Sequence, residues 1–184
     1  MKGVELPQDE PVVIAPLIVK FTVERMLVDT GSSADILYLS TYDKLQLPPN
    51  HIQPIATPPT RFTGHVVYPL RIATPDLMVR TENKTTTIKA QFTVVDINDP
   101  SYNGLIGRSI LTALRAIVSL LHLKLKFPTA GGIGEACGNQ KKARICYEAS
   151  VPPVNKPTAE SGKKYCRKNQ LEIRTVRKGE KEDN

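Results

Sequence analysis

No stretch of the chain approaches the roughly 18 consecutive apolar residues that a membrane-spanning helix requires, so no segment is predicted to cross a bilayer as a helix. The first ten residues, Met1-Lys2-Gly3-Val4-Glu5-Leu6-Pro7-Gln8-Asp9-Glu10, are acidic and lack the apolar core of a secretory leader. Cysteine is scarce: Cys137, Cys146 and Cys166 are odd in number and widely spaced. That argues against a disulfide framework and fits a reducing intracellular compartment, not a secreted protein. Together with His51, His65 and His122 they match no zinc-ligand spacing, so no metal and no cofactor is expected. Tryptophan is absent and aromatics make up 5% of the chain, which says little about fold. There are no internal repeats.

What remains is ordinary globular material. The 184 residues suffice for one domain with a real core, and 40% of them are hydrophobic. Fifteen prolines fall in clusters and mark long loops and tails. The net charge of +7 is unevenly spread. Residues 1–135 hold 13 Lys and Arg against 12 Asp and Glu, whereas residues 136–184 hold 12 against 6. The basic balance therefore belongs to the C-terminal part.

Apolar, β-branched runs bounded by turn residues predict strands over 12–15, 17–23 and 26–28. A further strand is predicted over 35–39, then a short helix over 41–45 capped by Ser40 and stopped at Leu47-Pro48-Pro49. Residues 61–68 read as a hairpin turning near Gly64. Strands follow near 70–72, 77–80 and 86–95. Gly104-Leu105-Ile106-Gly107-Arg108 reads as a strand ending in glycine, and Ser109-Ile110-Leu111-Thr112-Ala113-Leu114-Arg115 as a helix. Strand structure returns over 116–127, where Leu121, Leu123, Leu125 and Phe127 alternate with polar residues, and Ile133-Gly134-Glu135-Ala136 pairs back. Asn139 caps a short basic helix over 140–149, whose Lys141–Arg144 run is read as a solvated face. The expected organisation is an N-terminal extension (1–10), a folded domain (11–136), the basic helix (137–149) and a disordered tail rich in Pro, Lys and Glu (150–184).

The chemistry lies in Leu27-Val28-Asp29-Thr30-Gly31-Ser32-Ser33-Ala34. A carboxylate at the end of a buried strand is costly unless it is hydrogen-bonded or used. Here it is followed by hydroxyls and a glycine, which supply donors and a tight turn. Asp-Thr-Gly alone arises by chance in roughly one chain in 20 of this length, and a polar turn after a strand is its ordinary explanation. The order of elements is more specific than the triplet. An all-β chain carries Asp-Thr-Gly, a glycine-tipped hairpin, further strands, then apolar-apolar-Gly (Leu105-Ile106-Gly107), a short helix and a final strand. Asp35 lacks a following glycine and is read as a surface or turn carboxylate.

In these residues the chain resembles the retropepsin-like protease segment of plant gypsy-type LTR-retrotransposon polyproteins. The resemblance rests on residues 27–37, on Phe62-Thr63-Gly64-His65-Val66-Val67-Tyr68-Pro69-Leu70, on Tyr102-Asn103-Gly104-Leu105-Ile106-Gly107-Arg108, and on Leu123-Lys124-Leu125-Lys126-Phe127-Pro128-Thr129. It covers roughly residues 10–150. Many such elements have Asn where this chain has Thr30, and Pro and Trp after the arginine where it has Ser109 and Ile110. The reverse transcriptase that follows the protease in those polyproteins is absent, as expected of a fragment, a processed product or a degraded element.

The resemblance implies a mostly β fold: a closed small β-barrel of the acid-protease type with one or two short helices, forming half of a two-fold dimer. It implies an aspartic endopeptidase acting on an extended polyprotein segment in the cytoplasm or a virus-like particle. Such proteolysis uses two carboxylates sharing one proton, and a chain with one Asp-Thr-Gly supplies the pair as a homodimer. Asp29 is then catalytic, and Thr30 bonds across the dimer axis. Gly31 admits the substrate backbone, and Ser32 donates to the outer carboxylate oxygen. Phe62, Thr63, Gly64, His65 and Val66 form the flap, while Leu105, Ile106 and Gly107 pack beside the catalytic loop. The alternative is a catalytically silent remnant serving as a dimerisation module. Nucleic acid is expected to bind only weakly and nonspecifically, through the basic tail.

Overall fold

The computed structural model describes residues 9–54, 60–62, 65–67, 69–81, 84–97, 101–150 and 173–175. In chain order its elements are β1 (Val12–Ile14), β2 (Leu17–Ile18), β3 (Phe21–Val23), β4 (Met26–Val28), β5 (Ile36–Tyr38), α1 (Leu39–Leu45), a 3-10 turn (Pro49–His51), β6 (Ile52–Pro54), β7 (Thr60–Phe62) and β8 (His65–Val67). There follow β9 (Pro69–Ala73), β10 (Asp76–Thr81), β11 (Lys84–Lys89), β12 (Phe92–Val95), β13 (Gly104–Ile106), α2 (Arg108–Ala113), β14 (Ile117–Ser119), β15 (Lys124–Thr129), β16 (Gly132–Cys137), α3 (Gln140–Ser150) and β17 (Ile173–Thr175).

Seven strands form one sheet in the order β1-β4-β13-β5-β12-β9-β6. Its centre positions the site. β4 runs parallel to β13, with Leu27 opposite Leu105 and Val28 opposite Ile106. β5 then pairs antiparallel to the other side of β13. The chain thus leaves the sheet at Asp29 and re-enters it at Ile36, with β13 inserted between the two strands. Along these strands the side chains alternate between two buried layers, as a two-residue period demands. Val12, Ile14, Leu37, Val94 and Ile106 join the larger cluster, with Met26, Phe92, Leu125 and Phe127. Val13, Ile36, Tyr38, Val95 and Leu105 face the smaller one, with Tyr102, Ala143 and Cys146. Burial on both faces is why these segments read as unbroken apolar runs.

The other sheets have five strands (β11-β10-β2-β3-β17), three (β14-β15-β16) and two (β7-β8). The expected closed barrel is not found among the described residues: the sheets are open. At the β1 end of the large sheet, Val13 O accepts the N–H of Asn139 at 3.1 Å, so the segment leading into α3 meets that edge, not the far strand β6. The described residues also contain three α-helices, two within the strand-rich part and the basic helix after it.

Three predicted strands are each broken in two. Val19 (φ 58°) turns between β2 and β3, and Leu123 (φ 48°) turns before β15. Ala90 and Gln91 separate β11 from β12, Ala90 N–H bonding to Pro75 O at 3.0 Å. Leu121 consequently sits in a turn, 49% exposed, whereas Leu123, Leu125 and Phe127 are buried as the alternation predicts. α1 begins at Leu39 with Tyr38 as its uncapped N-cap, so Ser40 does not cap it, and it ends at Gln46 in the left-handed region. The expected disorder of 150–184 falls largely outside the described residues, but Ile173–Thr175 pairs with β3 as an edge strand.

The basic helix is tied to the fold. Asn139 Oδ1 accepts the Lys142 N–H at 2.9 Å, the cap its sequence position predicts. The Lys141–Arg144 run is not simply a solvated face. Lys142 Nζ donates to Glu24, and Arg144 donates to Glu10 from Nε (2.8 Å) and Nη2 (2.5 Å). Gln140 Nε2 donates to the same carboxylate at 3.0 Å. The Gln140 bond and then the Arg144 bonds pull the Glu10 carboxyl down from 4.5 to about 2. A depressed acid stabilises the folded chain above its unfolded value and loses that contribution as pH falls through the folded one. Amide protection in α3 is therefore expected to hold above pH 4.5, fall as the pH is lowered and reach its floor near pH 2. Hydrogen exchange on the chain and on Glu10→Gln checks this, since the variant should lose the pH dependence.

Candidate active site

Asp29 is the first residue after β4 and is partly buried, while Thr30 and Gly31 are exposed. Its backbone is fixed first. The Asp29 N–H donates to Ile106 O at 3.0 Å, extending the β4–β13 pairing by one residue. Its carboxylate then accepts the Gly31 N–H on Oδ1 at 2.8 Å, and its carbonyl accepts the Ser32 N–H at 3.3 Å. A side chain at position 31 would place Cβ 3.2 Å from that same Oδ1, so glycine here leaves the carboxylate uncrowded.

Ser32 acts differently from its expected role. Its hydroxyl donates to Ala34 O and accepts the Ala34 N–H, both at 3.1 Å, so it closes the turn locally instead of bonding to the Asp29 carboxylate.

Leu105 and Ile106 are 2% and 0% exposed, one in each apolar layer, and Gly107 is buried behind the turn. A Cβ on Gly107 would lie 2.3 Å from Ala34 O and 2.9 Å from Ser32 O, so only glycine fits so close to this backbone. Arg108 completes the embrace, its N–H donating to Ser32 O at 3.0 Å and its Nη1 to Gly31 O at 2.6 Å. The apolar-apolar-Gly segment thus packs beside the turn.

Two residues have bonding roles that the sequence reading did not assign them. Asp35, read as a surface or turn carboxylate, is 7% exposed and accepts the Gly107 N–H on Oδ1 at 2.7 Å. Burial raises its carboxyl above the ordinary value, and hydrogen bonds from the Gly107 and Ile110 amides and the Ser109 side chain oppose that shift. Asn103, 0% exposed, ties the approach to β13 onto the β3–β4 turn, Nδ2 donating to Glu24 O at 2.7 Å and N–H to Arg25 O at 3.1 Å. Neither residue has a local signal, because the partners lie more than 70 residues away in the chain.

The predicted flap forms a hairpin, with Thr60 opposite Val67, Arg61 opposite Val66 and Phe62 opposite His65. Gly64, its predicted tip, and Thr63 lie outside the described residues. Among the described residues no group of three or more His, Cys, Asp and Glu is placed to hold a metal ion. Of the two carboxylates at this turn, Asp29 is partly exposed and Asp35 is buried behind it.

The fold, though not the site, can be compared with solved structures. The retroviral protease-like domain of Ddi1 from Leishmania major superposes with a TM-score of 0.52 at 13% identity, covering 72% of this chain and 96% of that one. EIAV protease complexed with the inhibitor HBY-793 matches with a TM-score of 0.41 at 20% identity, over 64% of this chain and 99% of that one. No protein-family model and no curated protein sequence matches the chain. The fold is that of a retroviral protease-like domain.

Proposed function

We propose that the chain is an aspartic endopeptidase that works as a homodimer, each copy contributing one Asp29 to the catalytic pair. The observation that carries this reading is the support around Asp29: its amide, its carboxylate and its carbonyl are each bonded within the turn or to β13. Such pre-organisation suits a group that must hold one position during chemistry. A single carboxyl group cannot be acid and base in the same step, whereas two about 3 Å apart share a proton and supply both at once. In the dimer one carboxylate takes a proton from water as it attacks the scissile carbonyl, and the other protonates the leaving nitrogen. Thr30, exposed at the turn, bonds across the two-fold axis, and the β7–β8 hairpin closes over an extended peptide. The substrate is a polyprotein segment of the plant gypsy type that the sequence resembles.

Cleavage of an unfolded polypeptide tests the proposal. Activity is expected near pH 5, and specific activity should rise with chain concentration as sedimentation shows dimer replacing monomer. A monomer that cleaves at full specific activity would contradict it.

A further inference from the structure

We propose that Asp35 is a positioning residue of the catalytic turn, acting through Gly107 to fix where Asp29 stands. This rests on the endopeptidase reading for its functional consequence, though not for its structural part.

Three consecutive residues at the β13–α2 junction each hold a different part of the loop between β4 and β5. Ile106 O takes the Asp29 N–H at the loop's start, and Arg108 holds Gly31 and Ser32 in its middle. Gly107 donates to Asp35 at its end. The first two ties end on backbone carbonyls, those of Ile106, Gly31 and Ser32, whereas the third ends on a buried side-chain carboxylate. A buried carboxylate is expensive to keep unless its bonds are needed.

Asp35 also does a second job. Gly107 is the N-cap of α2 and offers no side-chain cap. The Asp35 carboxylate stands at that end from a distant part of the chain: it accepts the Gly107 N–H at 2.7 Å, and the Ile110 amide and the Ser109 side chain favour its charged form. One side chain thereby locks the start of α2, the end of β13 and the entrance to β5. The junction has no slack, because Gly107 is already pinched against Ala34 O and Ser32 O. Loss of the carboxylate frees the junction to shift, and Ile106 and Arg108 carry that shift directly to Asp29, Gly31 and Ser32. Displacements of about 1 Å in a reacting group cost about 100-fold in rate.

The test compares Asp35→Ala and Asp35→Asn with the unaltered full chain. Asn keeps one acceptor oxygen for Gly107 but presents an amide group where a second donor had been accepted. On an extended peptide, Asp35→Ala is expected to lower kcat roughly 10- to 100-fold with KM changing less than about threefold, and Asp35→Asn to recover part of the loss. Hydrogen exchange reads the structural half directly. The Asp29 and Arg108 amides should lose about tenfold or more of their protection, with those of Leu77 and Val79 in β10 unchanged. Unchanged protection at Asp29 and Arg108 in Asp35→Ala would overturn the proposal. If that variant does not fold, Asp35→Asn decides by the same amides, with partial loss expected and no loss contradicting. If the unaltered chain does not cleave peptide, the endopeptidase reading fails by itself while the exchange result still decides the role of Asp35.

Discussion

Asp29→Asn is expected to leave a folded chain whose peptide cleavage has fallen by about 1000-fold or more, the scale on which an enzyme loses a group that takes part in the chemistry. The prediction separates the fold from the reaction because the two use different parts of the residue. The fold uses the Asp29 N–H on Ile106 O, its carbonyl on Ser32 N–H, and one carboxylate oxygen to accept from Gly31. Asparagine supplies all three, and its size is the same, so stability should change by less than about 1 kcal/mol. The reaction needs an oxygen that gains and releases a proton, which an amide cannot do. Thermal unfolding and cleavage measured on one preparation check both halves. Cleavage persisting at more than a tenth of the original rate would mean another group does the chemistry.

Gly107→Ala should damage the molecule by the opposite route, through the fold alone. The added methyl would lie 2.3 Å from Ala34 O and 2.9 Å from Ser32 O, both backbone atoms of the turn. No rotamer relieves a backbone contact, so either β13 or the turn must move. Overpacking of this kind costs about 3 kcal/mol. For a chain of this length that corresponds to a midpoint lowered by roughly 6–12 °C. Activity should be lost as well, since any movement that makes room also displaces the bonds from Arg108 to Gly31 and Ser32. Calorimetry and the cleavage assay at a temperature where the variant is folded separate the two losses. An alanine variant as stable as the parent would show that the junction is looser than its geometry implies.

The centre of the site was legible in the sequence because local chemistry and burial agree there. Val28 before Asp29, glycine at 31, and Leu105-Ile106 before Gly107 each follow from what the immediate backbone needs. Element boundaries failed where a turn is made by residues with no turn preference. Val19 and Leu123 adopt positive φ, which leaves no mark in a run that otherwise reads as one strand. The closed barrel failed because sheet closure depends on how edge strands are met, and at β1 the segment leading into α3 meets the edge. Asp35 was misread for a related reason: nothing between residues 33 and 37 reveals that a glycine amide 72 positions further on will meet its carboxylate. Likewise, the basic run of α3 looked like a solvated face because Glu10 and Glu24 are far away in sequence.

In the proposed function this retroviral protease-like fold carries half of a catalytic pair. Mixing tests it most directly. Unaltered chain at fixed concentration is titrated with Asp29→Asn chain, allowed to exchange partners, and assayed for cleavage at about pH 5. If each active unit needs Asp29 from two chains, added variant captures active chains in dead dimers, and activity per unaltered chain should fall toward zero with excess variant. Activity that stays constant as the variant is added would contradict the account, since a chain complete in itself has nothing to lose to its partner.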